Sequence, residues 1–207
     1  MKKTILFVIL EQYADWEGAY LSSALHMLSP GCYSVKTVSL TKESVESIGG
    51  FHALPDYDIE SVPKDYDALI LIGGMSWRNK SAKQIRPLVD HCLASGKILG
   101  AICDASAFLG TVGALNNVRH TSNDLADLKQ WAGSHYTGEK NYVMEQAVSD
   151  RNVITANGTA ALEFAREVLL ALKSAPEDKI LDWYHFHKLG YYQAPLPKES
   201  TTDWNQN

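Results

Sequence analysis

Residues 97–110, KILGAICDASAFLG, decide how this chain is read. A short apolar run ends at Cys103, Asp104 follows, and small side chains come next. The run has the length of a strand buried on both faces, and the small residues after it open a helix. Cys103 therefore sits at a strand-to-helix junction, with Gly100 and Ala101 before it and Ala105 and Ser106 after it. A nucleophile elbow needs small neighbours of this kind, because the turn is strained and crowded. A helix N-terminus aimed at the sulfur favours thiolate and predicts a lowered thiol pKa. The competing reading is a structural core cysteine, the commonest state of a free thiol. The junction alone leaves both open.

Working outward, apolar runs alternate with amphipathic segments. Thr4–Leu10, Tyr33–Leu40, Ala68–Ile72 and Lys97–Ile102 read as strands, and 47–63 as a short strand excursion with turns. Helices are expected at Trp16–Leu28 (capped by Asp15), Ile85–Ala94 (Pro87 in its first turn) and Asp124–Ala132, closed by Gly133. Strands at Asn141–Ser149 and Asn152–Ala156 precede a strongly periodic helix, Thr159–Lys173, which Thr159 can cap. This alternation predicts an α/β fold with a doubly wound, mostly parallel sheet and helices on both faces. Residues 1–176 form the expected domain. Residues 177–207 form an extension packed on it, with a mobile end.

Composition narrows the function. The 207 residues are 45% hydrophobic and 21% charged, enough apolar material for a sizeable core. A net charge of −5 and the absence of a basic block argue against nucleic-acid and anionic-membrane partners. No apolar run approaches the ~18 residues of a membrane span. The start, MKKTILFVIL, reads as a first strand rather than a leader. Cys32, Cys92 and Cys103 are too few and scattered for a disulfide framework, so free thiols and a cytoplasmic location are expected. Cys32 and Cys92 are most simply core residues. His185 and His187, two apart on a helix, do not face one point, so no metal is expected. No cofactor is implied either.

In a doubly wound sheet the site lies beyond the carboxyl ends of the strands, where strand order reverses. Three such ends carry chemistry. EQYADWEG (11–18) brings Glu11, Asp15 and Glu17. Gly73-Gly74 presents bare backbone N–H groups. Cys103 ends the third. Glu17, as a neutral acid, could donate to the thiolate, or it is a surface carboxylate favoured by its helix terminus. The N–H groups of Gly74 and Asp104 could form an oxyanion hole. His120, in NNVRHTSND, is a candidate general acid or base, or a polar loop histidine.

These pieces together resemble the PfpI-type intracellular protease and parkinsonism-associated deglycase family, within the class I glutamine amidotransferase-like superfamily. The likeness is carried by YADWEG, YDALILIGG, KILGAICDASAFLGTVGALNN, VRHTSND and NVITANGTAALEFAREVLLAL, and covers roughly residues 3–173. It implies a flavodoxin-like three-layer sandwich, a homodimer, and a central reactive cysteine. Cys103 takes the nucleophile position, Glu17 the protonated acid, Gly74 and Asp104 the backbone donors, and His120 the histidine of the deglycase-like branch. It implies a small-molecule substrate, a reactive carbonyl or amide, handled by a hydrolase or a glyoxalase- or deglycase-like lyase. The alternative is a non-enzymatic sensor or chaperone-like protein using Cys103 oxidation. The protease branch has histidine directly after its cysteine, where this chain has Asp104. Nor does a histidine stand two residues before Glu163. Protease and glutamine amidotransferase activities are therefore not expected.

Overall fold

The computed structural model describes residues 2–195. Six strands run parallel in one sheet: β1 (Lys3–Val8), β2 (Tyr33–Ser39), β5 (Tyr57–Asp58), β6 (Ala68–Leu71), β7 (Ile98–Ile102) and β9 (Val153–Ala156). β8 (Ala147–Asp150) closes one edge antiparallel to β9, and the order is β5-β2-β1-β6-β7-β9-β8. β3 (Val45–Glu46) and β4 (His52–Ala53) form a separate two-stranded hairpin. β1, β6, β7 and β9 are buried along nearly their whole length, as expected of strands covered on both faces.

Helices supply that cover. One face packs against α1 (Asp15–Leu28), α5 (Ala161–Leu172) and α6 (Glu177–Leu189). The other packs against α2 (Arg86–Ala94), α3 (Asp104–Thr111) and α4 (Leu125–Ala132). α5 buries Leu162, Ala165, Val168, Leu169 and Leu172. Each such leucine contributes about 1.5–3 kcal/mol of transfer free energy. Gly100 lets this helix lie close to the sheet: a Cβ there would come within 2.8 Å of Ile70 Cδ1 and 3.0 Å of Phe164 Cζ.

The α/β doubly wound sandwich is thus the expected one, and several local details differ. Asp15 is the first residue of α1 rather than its cap, because its carboxylate accepts the Gly49 N–H at 2.8 Å. Thr159 does not cap α5. Its Oγ1 bonds Asn157 Oδ1, and the helix starts two residues later. The strand expected over 141–149 is only Ala147–Asp150. Upstream, Asn141 and Tyr142 donate their N–H groups into a tight turn, and the Val143 N–H goes to His120 O. Cys92 is buried as expected, but Cys32 is exposed, in the turn that leads from α1 to β2. α6 packs on α5, burying Trp183 and Tyr184, while Tyr191 and Tyr192 face solvent. The chain end expected to be mobile lies outside the described residues. Among the described residues no helix is long and apolar enough to cross a membrane.

The chain goes from β1 to β2 on one side and returns through β6 on the other, so strand order reverses between β1 and β6. Their carboxyl ends, with that of β7 beside them, mark where a ligand site belongs in such a sheet.

Candidate active site

Cys103 stands between β7 and α3 with φ 61° and ψ −133°, a conformation L-residues rarely adopt. Such a backbone costs on the order of 1–3 kcal/mol and needs surroundings that enforce it. Here the Cys103 N–H donates to Ala156 O at 3.0 Å, and its carbonyl accepts the Ser106 N–H at 3.0 Å. Buried Ser106 adds its hydroxyl between Ala101 O (2.8 Å) and Ala156 O (3.0 Å). The elbow is therefore stitched to β7 and β9 together.

Two glycines make room for the thiol. A Cβ on Gly73 would collide with Glu17 Oε2 and Cys103 Cβ. One on Gly158 would lie 2.9 Å from Cys103 Sγ. Gly74 follows with φ +143° and passes so close to Gln12 and Tyr13 that no side chain fits there. Met75 N–H and Ala14 N–H hold this crossing, donating to Gln12 O and Gly73 O at 3.1 Å each. Among the described residues the Gly74 N–H has no hydrogen-bond partner, so it remains available as a donor.

Of the three acids after β1, only Glu17 turns toward the sulfur. Glu11 accepts the Glu46 N–H and Asp15 that of Gly49. Glu17 is 1% exposed. Its Oε2 accepts the Gly73 N–H at 2.8 Å, while Oε1 is buried without a partner of its own. Burial raises its carboxyl from 4.5 to about 7, against the opposing pull of the nearby Cys103 thiol and the Gly73 N–H. Burial first, and the Glu17 carboxylate second, push the Cys103 thiol up to about 11. This is opposite to the expectation from the helix terminus: desolvation of a sulfur sunk between strand ends outweighs the Asp104 N–H at the start of α3. The Asn123 amide and the Asp104 N–H pull the other way. A neutral Glu17 can donate from its unpartnered oxygen to a thiolate.

The remaining predicted residues separate. The Asp104 N–H reaches the sulfur, whereas its carboxylate turns to Arg78. His120 is 0% exposed and has no hydrogen bond to Cys103. Its Nδ1 pairs with Val118 O at 2.8 Å, its Nε2 with the Tyr136 hydroxyl at 2.6 Å, and burial lowers its pKa. Glu163 accepts from Tyr184 and Lys188 instead of meeting the site.

Two residues next to the thiol escaped the sequence reading. Asn123 donates its Nδ2 to Cys103 Sγ at 3.4 Å and accepts the Gly158 N–H at 2.8 Å on Oδ1. Gly158 in turn takes the Trp16 indole N–H on its carbonyl at 3.4 Å. One signal was present: if β9 is parallel, its carboxyl end, carrying Asn157-Gly158, joins the same sheet edge as the other three. An open groove of about 580 Å³, lined by Leu125, Tyr142 and Met144 among others, starts at Asn123, and Cys103 is not part of its lining.

A parallel α/β sheet with a strained cysteine at one strand end, faced by a buried glutamate from a neighbouring strand end, defines a flavodoxin-like cysteine-elbow protein. The chain belongs to the DJ-1/PfpI family, whose model matches residues 3–171. It is 40% identical over 192 residues to a Bacillus subtilis (strain 168) protein named "Uncharacterized protease YdeA", covering 93% of this chain and 94% of the relative. A second protein of that organism, "Uncharacterized protease YoaZ", is 36% identical, covering 90% and 91%. Among solved structures, the thiJ/pfpI family protein from Bacillus anthracis superposes with a TM-score of 0.85 at 33% identity, covering 91% of each chain.

Proposed function

We propose that this chain is a cysteine-dependent enzyme that takes a small reactive carbonyl or amide through a covalent adduct on Cys103. The observation that carries the reading is the pairing of a strained, half-buried Cys103 with the buried Glu17 carboxyl, both against Gly73. In the addition step the thiol proton passes to the Glu17 carboxylate and sulfur forms a bond to the carbonyl carbon. The C=O π electrons move onto oxygen, which the Gly74 N–H can meet. Glu17 then returns the proton to that oxygen, giving a hemithioacetal. A group titrating near 7 suits both halves of that transfer. His120, with both ring nitrogens engaged by Val118 O and the Tyr136 hydroxyl, takes no part in this transfer. No cofactor enters the scheme, and the working form is a homodimer in the cytoplasm.

Loss of methylglyoxal in the presence of wild type, against Cys103→Ser, tests this reading. We expect turnover by wild type and a drop of at least about a hundredfold in the variant. Equal turnover by both overturns it. Light scattering should give the mass of two chains.

The names of YdeA and YoaZ point toward peptide hydrolysis, against the expectation drawn from Asp104. The donors on the sulfur are the Asn123 amide and the Asp104 N–H, with Glu17 opposite, and no histidine among them. This favours the small-carbonyl reading. Cys103-dependent cleavage of casein by purified protein would reverse that preference. A second reading, oxidation of Cys103 to a sulfinate, draws on the same donors, which could hold its oxygens. Intact mass after graded peroxide separates the two: a stable gain of two oxygens on Cys103 without carbonyl turnover favours the sensor.

A further inference from the structure

Arg78 lies in the segment that follows Gly73-Gly74, and its guanidinium grips two carboxylates at once. Nε and Nη2 meet Asp104 Oδ2 and Oδ1 at 2.9 and 3.3 Å. Nη1 and Nη2 meet Asp127 Oδ1 and Oδ2 at 3.0 and 2.6 Å. Its Cζ lies over the Trp131 ring, 4.8 Å from the centroid. A planar fork engaging two carboxylates and an aromatic face is a fixed geometry that lysine cannot copy.

The grip matters because of its first partner. Asp104 is the residue after Cys103, and its carboxylate is one amide away from the sulfur. Asn123 Nδ2 lies 3.4 Å from Sγ and 3.5 Å from Asp104 Oδ1. The carboxylate and the sulfur are thus within about 7 Å of each other, inside the ~8 Å over which charges are felt at physiological ionic strength. The charged and titratable groups around the sulfur come from every neighbouring element. Glu17 approaches from α1 and Asp104 from α3, Asp127 stands behind on α4, and Arg78 is the cation among them. Lys129 on α4 is drawn off to Glu139.

We infer that Arg78 is a positioning residue for Cys103, holding Asp104 turned from the sulfur and offsetting part of its charge so that the thiolate can form beside it. This rests on the proposed reactive-cysteine role but does not depend on which substrate is used. Without the guanidinium, the Asp104 charge is released next to the thiol, and the Asp104–Asn123 contact loses its anchor. The oddity of an aspartate beside a reactive cysteine is answered by an arginine 26 residues upstream.

The test is the rate at which iodoacetamide alkylates Cys103, followed by peptide mass across pH 6–11, which resolves it from exposed Cys32 and buried Cys92. In Arg78→Gln the Cys103 rate at pH 8 should fall about tenfold, the change one unit of thiol pKa produces. Adding Asp104→Asn to Arg78→Gln should bring the rate back to within about threefold of wild type. Arg78→Lys, which keeps the charge but not the fork, should fall between. An unchanged profile in Arg78→Gln overturns the inference, as does a loss that Asp104→Asn fails to rescue. Increased labelling of Cys92 in Arg78→Gln would mark simple loosening of the fold and also count against it, with Arg78→Lys then required to show the profile shift alone. Alkylation needs no carbonyl turnover. A shift without any wild-type methylglyoxal loss therefore refutes the proposed function and leaves Arg78's role standing, whereas turnover with an unshifted profile does the reverse.

Discussion

Replacing Glu17 with glutamine isolates the cost of burying that carboxyl. Glutamine keeps the acceptor for the Gly73 N–H and can present its amide to Cys103, so the shape of the site is preserved. In the folded protein Glu17 titrates near 7, against 4.5 for an unperturbed glutamate. Between those values the native state holds a proton that the unfolded state has released. Stability therefore falls as pH rises through this window and levels off above about 7. At about 1.36 kcal/mol per unit, the ionised carboxyl costs the wild type about 3 kcal/mol above the window, and nothing below 4.5. Glutamine has no such penalty. Urea unfolding of both proteins from pH 4.5 to pH 8 should show Glu17→Gln gaining on wild type by about 3 kcal/mol, with most of the gain between pH 5 and 7. Parallel stability curves across that range would refute the claim that burial raises the Glu17 carboxyl.

Three further outcomes follow from the geometry. Gly158→Ala places a methyl 2.9 Å from Cys103 Sγ, so alkylation of that thiol should slow more than tenfold while circular dichroism is unchanged. Gly100→Ala forces a methyl against Ile70 and Phe164, and guanidinium unfolding should register an overpacking loss of about 1–3 kcal/mol. Asn123→Leu removes a donor from the sulfur and leaves the Gly158 N–H unpaired. The alkylation profile should move to higher pH by about one unit, since a hydrogen bond to a charged group contributes roughly 1.5–3 kcal/mol.

The layers of the fold were readable because central parallel strands must be apolar on both faces. ALIL at 68–71 and ILGAI at 98–102 admit little else. The elbow was readable too, since small residues flank Cys103 on both sides. What sequence could not supply was the direction of side chains at loop ends. Glu11, Asp15 and Glu17 are equivalent as letters, and only the crossing of 12–14 with 73–75 selects Glu17. His120 attracted attention as a residue type that moves protons, yet the bridge to Tyr142 and the Tyr136 hydroxyl hold it elsewhere. Asn123, three positions on, reaches the sulfur instead. The thiol's ionisation was misjudged because a helix terminus is visible in sequence and burial is not.

The backbone at Cys103 also sets which replacements this protein can drift through. At φ 61° and ψ −133° glycine is the one residue that would sit without strain. Selection for folding alone would therefore favour losing the side chain. Serine and alanine inherit the full distortion, and a β-branched residue adds a clash of its own in the space bounded by Gly73 and Gly158. A population kept under pressure for abundance but not for activity should accumulate Cys103→Gly ahead of other changes at this codon. Retention of a thiol there against that bias is what the role proposed for the sulfur requires.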